Sequence, residues 1–435
     1  MNALVIGGGW AGLAAAVELT RQGVPVTLLE AARQLGGRAR AVRFGEHRMD
    51  NGQHLLLGAY RGVLTMLQTL GINEREVLRR NALDLTYLDG ARCVHIHAPR
   101  LPAPLHLAWA LLNARGLSLA QRLAAMRMAL GLRRALFRVD PDMSVSDYLL
   151  AKHQDAALTR ALWNPLCLAA LNTPPQQASM NIFMRVLRDA FFAARWSSDM
   201  LTPIVDLGSF LPEPAREYIE RHGGSVSLGS RVLGINLYAS KVRGVRLEHA
   251  TRLADHVILA TSPETALMLM QPHAELLPQV RQLSQLQALP ICTLYLRYPQ
   301  GTTLGQDFIG LLGTTAQWIF DRGRLSGESG VMAVVISGPG IHMRENAATL
   351  TQRLVEELRS HFPHWPAPLD SKLIRERRAS FAAVVGVDKH RPAHATGVTG
   401  LWLAGDYTAT GYPSTLEGAV RSGVECARLI LQGRS

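Results

Sequence analysis

Apolar positions in this chain follow two rhythms. In three separated stretches they form short runs that close on glycine or a carboxylate, and between those stretches they alternate or recur at helical spacing. Ala3-Leu4-Val5-Ile6 runs directly into Gly7-Gly8-Gly9-Trp10-Ala11-Gly12 and then an alanine- and leucine-rich segment. That order predicts a strand, a tight turn and a helix from about Leu13 to Arg21. Residues 24–29 read as a second strand ending in Glu30, and residues 225–228, 231–235, 242–247 and 254–261 read as further short strands with turns between them. Residues 400–406 close a last strand on Gly405-Asp406, and residues 412–419 open a last helix.

Elsewhere, residues 83–98, 291–298, 318–320 and 331–337 alternate or run apolar like strands, whereas residues 101–200 look mainly helical. The fold class predicted is α/β. A discontinuous Rossmann-type domain spans 1–60, 215–265 and 390–435, and a mixed-sheet and helical domain spans 61–214 and 266–389. Within 118–138, helical spacing gathers Leu119, Leu123, Met126, Leu130 and Phe137 into one stripe, flanked by Arg122 and Arg133 on one side and Arg127, Arg134 and Arg138 on the other. Such a helix suits either a core with solvated edges or a lipid surface with snorkelling arginines.

The spacing of Gly7, Gly9 and Gly12 carries the first chemistry. Gly7 permits the turn, Gly9 lets a pyrophosphate approach the backbone, and Gly12 lets the helix pack on the sheet, with Trp10 and Ala11 at its phosphate-facing N-terminus. Glu30 is placed to accept hydrogen bonds from an adenosine ribose. The extension Arg33-Gln34-Leu35-Gly36-Gly37-Arg38 is usual in FAD proteins of the glutathione-reductase-like class and not in NAD dehydrogenases. Asp406 is then expected at the ribityl chain or its neighbouring phosphate, with the amides near Thr415 and Leu416 at the flavin edge. The expectation is FAD, held non-covalently, since no histidine or cysteine sits in an attachment motif. A second G-x-G-x-x-G unit is missing, so reducing electrons would come from an external donor.

These segments are similar to the superfamily of phytoene desaturases, protoporphyrinogen oxidases and flavin amine oxidases. Asp50-Asn51-Gly52-Gln53-His54-Leu55-Leu56-Leu57-Gly58-Ala59-Tyr60, the run from Asn164-Pro165-Leu166 to Leu171-Asn172, and Arg188-Asp189-Ala190-Phe191-Phe192 narrow it. Together they resemble the squalene-associated FAD-dependent desaturases, understood as hydroxysqualene dehydroxylases of hopanoid-producing bacteria, through nearly the whole chain. The resemblance implies reductive loss of a hydroxyl from hydroxysqualene to give squalene. The alternative is desaturation or oxidation of a carotenoid-type isoprenoid. It also implies that Gly52-Gln53-His54 runs past the flavin ring and that Val232 pairs its backbone with the adenine. His54 is the expected proton donor, and Gln53 the group that orients the hydroxyl. Asp50, at a strand end, is expected to be structural or to support the cofactor. Trp163, Phe191, Phe192 and Trp196 are the candidate lining of an isoprenoid channel. Amine oxidases of the superfamily place a lysine near the flavin, and no lysine occurs between Lys241 and Lys372.

Composition narrows the setting. At 435 residues, with 48% hydrophobic and 18% charged, the chain can hold two cores. Cys93, Cys167, Cys292 and Cys426 are scattered, which argues against a disulfide framework or a zinc site and suits a reducing cytoplasm. The first strand starts too early to leave room for a signal peptide, and no apolar run reaches the ~18–20 residues of a spanning helix. With 46 basic against 34 acidic residues the formal charge is +12. A basic chain can seek nucleic acid, anionic lipid or acidic protein partners. Without an aromatic-interleaved basic run, nucleic acid is the weakest of the three and is not expected as partner, and an anionic membrane surface at the inner face is a candidate.

Overall fold

The computed structural model describes residues 1–433; Arg434 and Ser435, the end of the 390–435 segment, lie outside the described residues. Five parallel strands form one sheet in the order Ser225–Ser227, Val26–Leu29, Ala3–Ile6, His256–Leu259, Leu401–Leu403. Ala3 pairs in register with Val26 on one side and His256 on the other. The central strands are buried on both faces, which is why they read as unbroken apolar runs. The helix Trp10–Arg21 starts three residues earlier than the sequence suggests, because Gly9 already serves as its N-cap. It buries Trp10 through Thr20 and packs against the C-terminal helix Leu416–Gln432. Gly7 has φ +108°, and a Cβ there would lie 2.6 Å from the Ala260 carbonyl oxygen, so only glycine makes this turn.

A second, seven-stranded mixed sheet runs Asp370–Phe381, Ala288–Arg297, Val331–Ser337, Trp318–Asp321, Phe308–Leu311, Asp84–Asp89, Arg92–His97. All neighbours are antiparallel except Phe308–Leu311 beside Asp84–Asp89. Period-two alternation sorts its faces. Cys292, Leu294 and Leu296 pack with Leu350, Leu354 and Leu358 of the helix Ala347–His361, while Tyr295 of the same strand joins the larger core on the other side.

That other side carries the helical layer: Leu105–Leu112, Leu119–Arg134, Val145–Ala151, Asn164–Leu171 and Met180–Leu187. Two of its turns, Thr159–Trp163 and Arg188–Phe192, are wider π-helical turns, a deviation that recurs at functional sites. Asn172, left-handed at φ 50°, stitches this layer to the sheet. Its amide donates to the Pro290 carbonyl at 3.1 Å and to Ser380 Oγ at 2.8 Å, and its Oδ1 accepts from the Gly338 N–H at 2.6 Å. Between the two large sheets, the ribbon Ala41–Phe44 with His47–Asp50 leads through residues 51–55 into Leu56–Leu57. The segment Asn51-Gly52-Gln53-His54 therefore crosses the junction.

The helix Leu119–Arg134 does not pack through its predicted leucine stripe. Ser118 and Gln121 close a capping box at its start. It buries Ala124, Ala125, Met128 and Leu132, while Leu119 and Leu123 of the predicted stripe point outward, 67% and 41% exposed, and Leu130, half exposed, also lines a void beneath the helix. The helix ends at Arg134, before the predicted 138, because Leu136 and Phe137 turn to positive φ.

Candidate active site

A cavity of about 950 Å³ runs between the two large sheets. One end is main chain. Gly7, Gly9, Trp10 and Ala11 line it, as do Gly37 and Arg38 from the next turn and Gly405 and Asp406 from the last strand. The helix Trp10–Arg21 has no side-chain cap, and a Cβ at Gly9 would meet no atom within 4 Å. Free amides and vacant space thus coincide, as an anion at a helix N-terminus requires. The Gly36–Gly37 turn locks onto this loop: the Gly36 N–H donates to the Gly8 carbonyl at 2.8 Å, and a Cβ on Gly37 would approach Gly9 Cα to 3.2 Å. Gly12 sits against the turn, its absent Cβ leaving room for the Gly7 carbonyl. The Trp10 ring points away from the cavity, stacking on Phe210 at 5.7 Å and donating to the Ala39 carbonyl, so Trp10 contributes backbone only.

Farther along, Glu30, Ser230, Arg231 and Val232 line the same end. Glu30 accepts from the Gly8 and Ala32 amides, each at 2.6 Å, which fixes its carboxylate beside the glycine turn. Asp406 is buried and pairs with Arg38 at 2.6 Å, and it accepts from the Ser414 hydroxyl. Burial alone would raise its carboxyl, but the Arg38 guanidinium and the Ser414 hydroxyl hold it below the usual carboxylate range. The loop around Asp406 hangs on Arg391, which the sequence reading did not single out. Its fully buried guanidinium donates to the Asp406 carbonyl at 3.1 Å and to Thr410 Oγ1 at 2.8 Å, and lies 4.8 Å over the Phe381 ring. Thr415 caps the helix Leu416–Gln432, whose first residue also lines the cavity.

The middle is the crossing segment. Gly52, Gln53 and His54 all line the cavity, and Asp50 does not. His54 Nδ1 lies 2.5 Å from the Gly52 carbonyl oxygen, which fixes the proton on Nδ1 and leaves Nε2 as an acceptor in the neutral ring. Burial lowers the His54 pKa from its ordinary 6.5, the Gly52 bond opposing it. Gln53 Oε1 accepts from Arg322 Nη1 at 3.1 Å, so its amide orientation is set. Arg322, itself 0% exposed, is anchored at 2.9 Å to Glu328. No sequence signal marks Arg322 beyond its place after the helix-capping Asp321. Asp50 accepts from the Leu207 amide at 2.7 Å, and burial pushes its carboxyl up to about 7 although Arg322 and that amide oppose the shift.

The far end is apolar side chain: Leu83, Leu85, Tyr87, Leu166, Phe183, Phe191, Trp318 and Phe320. One polar pair interrupts it, Tyr412 donating to Asp189 at 2.5 Å. Trp163 and Phe192 line an adjoining smaller void, and Phe191 lines both. Trp196 lines neither. Its ring lies 5.0 Å beneath the Arg61 guanidinium, and it is 38% exposed, so the sequence expectation for Trp196 is corrected. Among the described residues no lysine lines the cavity and no group of acidic, histidine or cysteine side chains could hold a metal.

The sequence profile of one family, flavin containing amine oxidoreductase, matches residues 10–431, and the chain belongs to that family. It is similar to the hydroxysqualene dehydroxylase of Sinorhizobium fredii, 28% identical over 445 residues that cover 99% of this chain and 98% of the relative. The hydroxysqualene dehydroxylase of Zymomonas mobilis is 27% identical, with 98% of each chain covered. The zeta-carotene desaturase of Synechocystis is 22% identical, with 100% of this chain and 98% of the relative covered. Among solved structures, an oxidoreductase from Methanosarcina mazei shares the fold at TM-score 0.78 and 16% identity, covering 99% of this chain and 100% of that one. Cyclohexylamine oxidase from Brevibacterium oxydans does so at TM-score 0.71 and 17%, covering 100% and 99%. The chain is an FAD-dependent oxidoreductase, and the open amides at Gly9 with the cradle around Asp406 fit that cofactor.

Proposed function

We propose that this member of the flavin containing amine oxidoreductase family removes the hydroxyl of hydroxysqualene reductively, giving squalene in hopanoid or triterpene biosynthesis. The observation that carries the reading is a single cavity whose polar end suits a dinucleotide and whose other end is walled by apolar side chains. In this reading Gly7, Gly9, Trp10, Ala11, Gly12, Glu30, Gly37, Arg38, Gly52, Val232, Asp406, Thr415 and Leu416 hold FAD. They belong to segments 1–60, 215–265 and 390–435, with the remainder forming the substrate domain. When bound in reduced form, the cofactor supplies a hydride to the carbon that loses its hydroxyl, and a proton makes the departing oxygen water.

The chain's own residues orient, exclude water and manage that proton. Arg322 ties up the Gln53 carbonyl oxygen and one amide N–H donates to the His54 carbonyl at 3.3 Å, so the second N–H is the donor left for a hydroxyl oxygen. His54 takes a proton on Nε2 while Nδ1 stays bonded to the Gly52 carbonyl, then donates it to the departing oxygen. Its lowered pKa makes the charged form scarce near neutrality, so this step favours mildly acidic solution. The apolar wall keeps water out, and the faces of Trp318 and Phe191 favour any positive charge that develops on the allylic carbon.

Electrons reach the site from an external donor, and the protein works peripherally at an anionic inner membrane face. The test is anaerobic. Photoreduced protein mixed with hydroxysqualene should show stopped-flow reoxidation of the flavin and form squalene. Reduced flavin left unchanged by hydroxysqualene, with oxidised flavin reduced by a carotenoid precursor, would replace this reading with desaturation.

A further inference from the structure

The helices Leu105–Leu112 and Leu119–Arg134 pack on each other and both turn apolar side chains to solvent. Leu105 is 58% exposed, Trp109 52%, Leu119 67%, and Leu136, just past the second helix, 83%. Exposure of several large apolar side chains on one packed helix pair marks an interaction surface, since a core helix buries its apolar stripe. The charge carried by the segment itself has one sign, although the exposed Asp155 accepts from Gln121 at the start of the second helix. Between Asp89 and Asp140 the sequence contains no acidic residue and no lysine, so arginine is its only permanently charged side chain. Among the described residues Arg127, Arg133, Arg134 and Arg138 pair with no carboxylate.

Beneath the two helices lies a void of about 130 Å³, lined by apolar side chains and the stem of Arg133. Leu107, Leu111, Met126 and Leu130 from the two helices face it. Leu83, Leu85, Leu166, Leu187 and Phe191 line both this void and the large cavity. The small void and the large cavity therefore share an apolar wall, and the half-exposed Leu130 reaches the small void from the surface.

We propose that this helix pair is a portal seated on an anionic lipid surface. The apolar tips enter the acyl boundary of one leaflet, the arginines meet headgroup phosphates, and an isoprenoid passes between the helices into the cavity. Only the identity of the cargo rests on the proposed reaction. Contact with one leaflet suffices, because among the described residues no helix is long and apolar enough to cross a membrane. A second copy of the chain is the poorer occupant, since a two-fold interface would bring unpaired arginines against arginines.

The experiment is flotation of the FAD-loaded protein with phosphatidylglycerol-containing and with pure phosphatidylcholine vesicles at low and high salt. Binding should favour the anionic vesicles and weaken as salt rises. Arg127→Gln with Arg134→Gln should reduce partition roughly 30-fold, about five-fold for each charge. Leu105→Glu, Trp109→Glu and Leu136→Glu combined line neither void, so the variant should retain its flavin absorbance and its turnover of detergent-dispersed substrate. It should lose flotation and turnover of vesicle-embedded substrate. Equal, negligible flotation with both vesicle types overturns the proposal. So does a dimer in sedimentation that the same triple substitution dissolves, which would assign the patch to a second copy. Vesicle binding with no turnover of hydroxysqualene would sustain the surface and remove only the reaction.

Discussion

At the Gly7–Gly9 end of the cavity the wall is main chain, whereas at the Tyr87–Phe191 end it is side chain delivered by elements distant in sequence. The first end needs few residue types: glycines where a Cβ would clash or fill the phosphate space, and one carboxylate held ionised by an arginine. Its chemistry is backbone amide and helix N-terminus, which recognises a diphosphate whatever is attached to it. The second end offers shape and dryness, and its selectivity comes from hydrophobic fill. On the proposed reading, a site built this way couples one fixed cofactor to whatever apolar substrate the far wall admits.

The sharpest way to break that contrast is Gly9→Val. Gly9 has φ −75° and free space around its missing Cβ, so valine is compatible with the backbone and should leave the fold standing. The side chain then occupies the phosphate space. Flavin per chain, read from visible absorbance after purification, should fall from near stoichiometric to near zero with the melting temperature of the apoprotein unchanged. A variant that still purified yellow with full FAD would falsify the assignment.

The next effect lies at the junction of the two ends. Asp50 in the folded protein titrates near 7 against 3.8 for an ordinary aspartate, because burial penalises its charged form. The folded state therefore holds the proton more tightly. Its contribution to stability is fully present below about pH 4 and is lost as pH rises through 7, on the order of 4 kcal/mol in all. Urea midpoints measured across that window should decline with rising pH in the wild type. Asp50→Asn, which keeps an oxygen for the Leu207 amide, should flatten the decline.

How far each end could be read in the sequence follows from the same contrast. Gly7, Gly12 and Gly37 announce themselves because a backbone conformation or a close approach excludes other residues, Gly9 because it leaves open space at the helix start, and their spacing is local. Asp406 is legible from its strand end. Arg322 and Arg391 are not, because a buried arginine becomes intelligible only when the chain brings Gln53 or the Asp406 carbonyl to it from far along the sequence. Trp196 misled for the reverse reason: an aromatic beside Phe191 and Phe192 suggests a wall, yet a short 3₁₀ turn carries it to the surface under Arg61. The outward stripe of Leu119–Arg134 was visible as a pattern, but periodicity alone gives no sign of which side faces the protein.

His54 gives a middle-sized effect. His54→Ala should keep FAD and slow the anaerobic reoxidation of reduced flavin by hydroxysqualene about 10²-fold, the lower part of the range for a lost general acid, since the wild-type imidazole is mostly neutral near pH 7. The wild-type rate should climb as pH falls toward and below 6.5, and the alanine variant should lose that climb. A flat wild-type profile with a loss of only a few-fold would transfer the work to ionisation within the aromatic wall.

The smallest effect tests whether the far end acts by fill alone. Phe191 lines both voids, while Trp196 lines neither and sits under Arg61, so Phe191→Leu and Trp196→Leu form a matched pair. Phe191→Leu keeps the wall apolar but removes the ring. Its loss as packing should raise KM by roughly three- to ten-fold, the equivalent of about 1 kcal/mol, with kcat within two-fold. Trp196→Leu should change neither constant. A fall in kcat at unchanged KM for Phe191→Leu would mean that the ring face acts on charge in the transition state and not on the bound chain. The apolar end would then share in the chemistry as well as the fit, and the division between a backbone end that holds the cofactor and a side-chain end that only admits the substrate would no longer stand.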